Sequence, residues 1–304
     1  MAARTLQQID AGELDAAAEG VITLKRLARH LTRQHTVIEH LVAVSLVALA
    51  RTPTAHLAGH PDLTAEQARA FIARLDALKP AHDASRALDI GERFIALDAI
   101  HALARGEAEA LEDELPIAVH GFDVTIASRE MNAWIDELVA IARKPTIRER
   151  RAALQAWEAS RDERFEIFDR ENREARHRFL AEHRDATPVE RKTAIIVPLL
   201  MWSFGALESA MYPMDTGWYG EQLDRVAFAL AGHRAETGSY PESLDELVPA
   251  WLEVVPEDPY AHEPGTPIVY RLEDDRVIIY SVGRNGEDDG GVDYPSDLAI
   301  EWPR

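Results

Sequence analysis

At 304 residues the chain is long enough for one large or two ordinary domains, and 46% hydrophobic with 28% charged residues is globular composition that argues against disorder. The formal net charge of −20 excludes the basic face that nucleic-acid phosphates require, and an anionic membrane surface would repel the chain for the same reason. Without cysteine there is no disulfide framework, no thiolate nucleophile and no Cys-ligated metal centre. The charge is uneven: Glu242–Arg304 holds 16 acids against 4 Arg and no Lys, a net of −12, which leaves −8 for the first 241 residues.

Residues 7–50 read as helix. Val21, Leu24, Leu27 and Leu31, then Ile38, Leu41, Val42, Leu46 and Leu49, recur at three- and four-residue spacing, and Gly12-Glu13-Leu14-Asp15 reads as the turn of a helical hairpin. The longest apolar runs, Leu41–Ala50 and Ala194–Leu207, fall short of the roughly 20 residues that cross a bilayer, and no signal peptide is recognisable at Met1. Three capping boxes mark helix starts: Thr64 with Gln67, Thr146 with Glu149 and Thr187 with Glu190. They predict helices from residue 65 to about 78, from 147 to about 183, and from Pro188 onward. Further helices fit 85–105 and 124–143, the latter stopped by Pro145. The pattern changes at Gly238-Ser239-Tyr240-Pro241. A short helix over 243–248 is followed by Pro249, Pro256, Pro259 and Pro264, and then by two predicted strands, 267–272 and 276–282. Residues 283–304 read as a Gly- and Asp-rich loop. The expected architecture is mainly α: a multi-helix, hairpin-like domain over 1–214 and a small α+β module with a short antiparallel sheet over 215–304.

The order of features in that module carries a resemblance. The helix Leu223–Leu230 leads to Gly238-Ser239-Tyr240-Pro241, the turn Pro256-Glu257-Asp258-Pro259, the pair Ile268-Val269-Tyr270 and Tyr280-Ser281-Val282-Gly283, and finally Asn285-Gly286 and an Asp-Gly-Gly loop. This order resembles the C-terminal part of the major pseudopilin of type II secretion systems, over roughly a quarter of the chain. The helical part, notably Leu27-Ala28-Arg29-His30-Leu31, resembles the middle region of large uncharacterised planctomycete-type bacterial proteins that carry the same tail and a membrane anchor upstream. The resemblance implies a pseudopilin-like fold for the tail and a position outside the cytoplasmic membrane. It implies membrane attachment only through an anchor absent from this chain.

The candidate site is the loop Asn285–Asp293. Calcium takes six to eight oxygen ligands, and a Gly-rich loop lets spaced carboxylates converge on one ion. Asp288, Asp289 and Asp293 are the expected carboxylate ligands and Asn285 a further one; major pseudopilins hold calcium in the matching loop. The spacing departs from the EF-hand pattern, and the same loop also reads as an exposed acidic surface. No Gly-x-Ser-x-Gly elbow, phosphate-binding loop or Ser/His/Asp signature is present. The expected function is therefore a non-enzymatic, extracytoplasmic scaffold or protein-binding protein, with a protein partner or self-association. The alternative is a hydrolase or other enzyme with a site in the helical domain, for example around His82, Asp83 and Glu92.

Overall fold

The computed structural model describes residues 1–107, 121–166, 172–203, 206–291 and 297–304. The fold is mainly helical, with one small antiparallel sheet near the C-terminus. The stretch read as helical over 7–50, with a hairpin turn at Gly12–Asp15, forms three helices: α1 (Ala2–Asp10), α2 (Leu14–Leu31) and α3 (Val37–Gly59). Gly12, at φ 74°, turns the chain between the first two. Thr32 closes α2, its hydroxyl donating to the Arg29 carbonyl (2.9 Å) and accepting from the His82 N–H (3.1 Å). A side chain that bonds the last turn of the helix and a backbone N–H from a distant segment competes with helix continuation, and periodicity alone does not register it. Helix α3 continues through Pro53 to Gly59, well past the apolar run that ends at Ala50. By length and composition it is the one helix among the described residues that could cross a membrane, and 44% of its most apolar 18-residue window is buried inside the protein.

The remaining helices are α4 (Ala65–Asp76), α5 (Arg93–Arg105), α6 (Val124–Ala142), α7 (Ile147–Phe165), α8 (Arg173–Glu182), α9 (Pro188–Ser203) and α10 (Ala206–Thr237). All three predicted capping boxes form. Thr64 and Gln67 open α4 and Thr146 and Glu149 open α7. At α9, Glu190 accepts from the Thr187 N–H (2.7 Å) and hydroxyl (2.8 Å), while the Glu190 N–H donates back at 3.3 Å. Those bonds hold the Glu190 carboxyl below its ordinary pKa. The long charged helix expected over 147–183 is described as α7 and α8, and residues 167–171 between them lie outside the described residues. Before α5 the chain forms a π-helical turn, Ala87–Glu92, where Gly91 lies against the His35 carbonyl so closely that a Cβ would stand 1.7 Å from its oxygen.

The chain forms two compact units. One comprises His35–Val37 and Asp83–Met211. Its core is lined by Met131, Trp134, Ile135 and Leu138 of α6, with Trp134 tilted against Trp157 of α7 at 5.7 Å between ring centroids. Arg93 ties α5 to α6 by donating to Asn132 Oδ1 (2.8 Å) and Asp136 (2.6 Å).

The other unit comprises Met1–Gln34, Ile38–His82 and Tyr212–Arg304. The C-terminal module thus shares its unit with the N-terminal helices, and one cut in the chain falls between Met211 and Tyr212. Ala28, Ala43 and Val47 pack together with Leu31, Leu46 and Trp218, joining α2, α3 and α10. Phe71 of α4 stacks on Phe228 of α10 at 3.7 Å.

The sheet of this unit has the order β1 (Val269–Leu272), β2 (Arg276–Ser281), β3 (Leu298–Pro303). Val269 pairs with Tyr280 and Leu272 with Val277; on the other edge Val277 pairs with Trp302 and Ser281 with Leu298. The third strand corrects the loop reading of 283–304. Strand β2 is buried from Val277 to Ser281, so its second edge needs backbone partners, and Leu298–Pro303 supplies them. Trp302 also rests on Gly59 at the end of α3 and donates from Nε1 to Tyr240 Oη (2.9 Å). Arg234 of α10 donates to the same hydroxyl (2.9 Å) and to the His60 carbonyl (2.6 Å). The sheet and the N-terminal helices thus share one polar seam.

Candidate functional site

The acidic loop leaves β2 at Gly283 and returns into β3 at Leu298. Gly291, at φ 81°, lies so close to Tyr280 and Ile278 that a Cβ would stand 3.1 Å from the Tyr280 ring, so the backbone at Gly291 rests against the sheet. Asp288 is bound to the protein on several sides. Its Oδ1 accepts from the Tyr280 hydroxyl (2.7 Å) and the Gly290 N–H (2.9 Å), and its Oδ2 accepts from Arg271 (3.1 Å). The Tyr280 hydroxyl, then the Gly290 N–H and Arg271, hold this carboxyl below its ordinary pKa. Burial, reinforced by Asp288, pushes the Tyr280 phenol up.

Asn285 makes an Asx turn with the Glu287 N–H (3.2 Å) and donates from Nδ2 to Asp289 Oδ2 (2.7 Å). Asp293 lies outside the described residues. Among the described residues no three His, Asp or Glu side chains are grouped closely enough to hold a metal ion.

The residue that sequence reasoning missed is Asp297. It is 4% exposed and accepts from the Gly291 N–H at 2.7 Å through Oδ2, while Oδ1 has no hydrogen-bond partner. Burial raises its pKa; the nearby charges of Asp289 and Asp288 raise it further, against the Gly291 and Asp289 N–H groups. A buried carboxylate with one bare oxygen beside two further carboxylates costs free energy unless a proton or a cation meets it. Its position just before an apolar strand gives no sequence signal, since Asp is common at strand ends.

Two other buried carboxylates organise the same unit. Asp258, in the Pro-Glu-Asp-Pro turn, is 1% exposed. It accepts from the Tyr260 N–H (2.9 Å), the Ser281 hydroxyl (2.7 Å) and the Val282 N–H (2.8 Å), fastening the turn to the end of β2. Asp224 of α10 pairs with Lys25 of α2 at 2.5 Å, both side chains 1% exposed. Burial pushes the Asp224 carboxyl above its ordinary pKa, with Lys25 opposing, and its Oδ1 has no hydrogen-bond partner. One turn away, Arg29 makes a bidentate pair with Glu221 (2.9 and 2.5 Å).

The residues named for an alternative enzymatic site serve the backbone. Asp83 accepts from the Ser85 N–H (2.9 Å) and hydroxyl, and Glu92 accepts from the Val37 N–H (2.7 Å) at the start of α3. The His82 N–H is the donor that Thr32 receives. Compared with family models, curated proteins and solved structures, the chain matches none of them.

Proposed function

We infer that the chain is a non-enzymatic scaffold or protein-binding protein whose pseudopilin-like C-terminal module is stabilised by calcium. The extracytoplasmic placement in this reading follows from the resemblance of the tail and of the helical part. The observation that carries the calcium reading is the bare, buried Oδ1 of Asp297 beside the Asp288–Asp289 pair. A hard divalent cation that prefers oxygen ligands meets that oxygen and offsets the mutual repulsion of the three carboxylates. Asp289 and Asp297 are the principal described ligands. Asn285 and Asp293 complete the proposed set, and Asp288 acts mainly through Tyr280 and Arg271. The non-enzymatic part is supported by the engagement of Asp83 and Glu92 with backbone amides.

Calorimetric titration of calcium chloride into EDTA-treated, dialysed protein tests the site. One saturable site is expected, with Asp289→Asn and Asp297→Asn each weakening it tenfold or more. Heats no larger than dilution in the unaltered protein would contradict the reading.

A further inference from the structure

Lys25 of α2 and Asp224 of α10 meet in the core of their unit, each 1% exposed, with Nζ 2.5 Å from Oδ2. Val21 and Ala28, one turn to either side of the lysine, and Phe228, one turn beyond the aspartate, are fully buried. A nitrogen that close to one carboxyl oxygen stands roughly 3–3.5 Å from the carboxyl carbon, the span at which a nucleophile and its target are poised to react. Asp224 Oδ1, the other oxygen, has no hydrogen-bond partner. Glu221, one turn before Asp224, places Oε1 3.8 Å from the same nitrogen. Arg29 fixes that carboxylate with two bonds (2.9 and 2.5 Å).

In water an ammonium and a carboxylate do not react, since the one has no lone pair and the other is a poor electrophile. Burial changes both conditions. With no water to solvate the charges, passing one proton across the short contact leaves two neutral groups, an amine and a carboxylic acid. Burial raises the Asp224 pKa while Lys25 opposes it, and the Glu221 charge adds to the rise against Arg51. The bare Oδ1 favours the same outcome, because an unpartnered oxygen costs less on a neutral acid or amide than on a carboxylate.

We propose that Lys25 and Asp224 join in an isopeptide bond, a self-formed covalent link between α2 and α10. The amine lone pair attacks Cγ and the C–N bond forms. Glu221 takes the proton that the nitrogen sheds and passes it to the Oδ2 hydroxyl. The Cγ–Oδ2 bond then breaks, one water leaves, and Oδ1 remains as the amide carbonyl oxygen. No oxidant, reductant or co-reactant enters. The freshly folded chain holds the ion pair, and the amide accumulates from it slowly, because the acid is not activated. The link spans 199 positions in a chain without cysteine, and so fills the place that a disulfide holds in many extracytoplasmic proteins. It is independent of the calcium loop.

The test is intact-mass spectrometry of the full chain, sampled over several weeks of storage in the folded state. The expected result is loss of the mass of one water, with a branched tryptic peptide joining α2 to α10 through Lys25 and Asp224. A sample kept in urea, where the pair is apart, is expected to retain full mass. So is Lys25→Arg, which keeps the cation but offers no primary amine. Glu221→Gln, checked for folding by circular dichroism, is expected to slow the loss roughly a hundredfold. Full mass throughout in the folded, unaltered chain would overturn the proposal. A water loss that persists in Lys25→Arg would overturn it too, since it marks a succinimide elsewhere, as at Asp289-Gly290. An unchanged rate in Glu221→Gln would overturn the proton path through that carboxylate. The branched peptide needs only the unaltered chain, so it decides the matter whether or not the variants fold.

Discussion

Asp224→Ala is expected to lower the unfolding free energy by about 3–5 kcal/mol, the usual cost of stripping one partner from a buried ion pair. Lys25 and Asp224 are each 1% exposed and 2.5 Å apart, so the substitution leaves an ammonium in the interior with Glu221, at 3.8 Å, as its remaining carboxylate among the described residues. The cost is one of desolvation rather than of a lost attraction, and that distinction makes a second expectation. Lys25→Met combined with Asp224→Leu removes both charges and fills the space with apolar volume, so the double variant should stand well above Asp224→Ala and close to the unaltered protein. Urea unfolding of Lys25→Met, Asp224→Leu and the double variant closes a double-mutant cycle. Strong non-additivity is expected, and simple addition of the two single effects would contradict the buried-pair account.

Asp258→Ala is expected to cost about 3–5 kcal/mol as well, by a different route. Its buried carboxylate accepts from donors that include the Tyr260 N–H, the Ser281 hydroxyl and the Val282 N–H. Alanine leaves all three without that acceptor, and two of them belong to backbone that cannot turn toward water. Ser281→Ala removes one of the donors together with its demand for a partner, and should cost only about 1 kcal/mol. Equilibrium unfolding followed by tryptophan fluorescence reads both variants. An Asp258→Ala protein as stable as Ser281→Ala would show that the turn is held by its prolines and not by this carboxylate.

These centres also mark where sequence reading stops. Capping boxes are local, four-residue agreements between side chain and backbone, and Thr64, Thr146 and Thr187 all make the bonds their spacing requires. The first two strands were legible because their Val, Ile and Tyr runs lie on either side of a short turn. The third strand was not, because its partner edge is reached only after a long polar loop, and nothing within Leu298–Pro303 says which edge it closes. Association of α2 with α10, and of α3 with the C-terminal sheet, depends on pairs such as Lys25 with Asp224 and Arg51 with the Ala299 carbonyl (2.6 Å), which stand 199 and 248 positions apart in the chain. At the acidic loop, composition drew attention to Asp288 and Asp289 but could not tell that Tyr280 and Arg271 engage the first. Nor could it tell that Asp297, outside the Gly-rich run, carries the bare buried oxygen.

That oxygen gives the calcium account its most direct measurement: thermal melts of the unaltered chain and of Asp297→Asn, each in excess EDTA and in millimolar calcium. A ligand that binds only the folded state stabilises it by RT ln(1 + [L]/Kd), about 2.7 kcal/mol at a hundredfold excess over Kd. The account predicts a rise of several degrees in calcium for the unaltered chain and none for Asp297→Asn. It also predicts that the variant melts higher than the unaltered chain in EDTA, because a neutral amide no longer buries an unpaired charge. Superimposable melts of the unaltered chain in EDTA and calcium would contradict it, and the acidic loop would then be a solvated surface around a buried carboxylic acid.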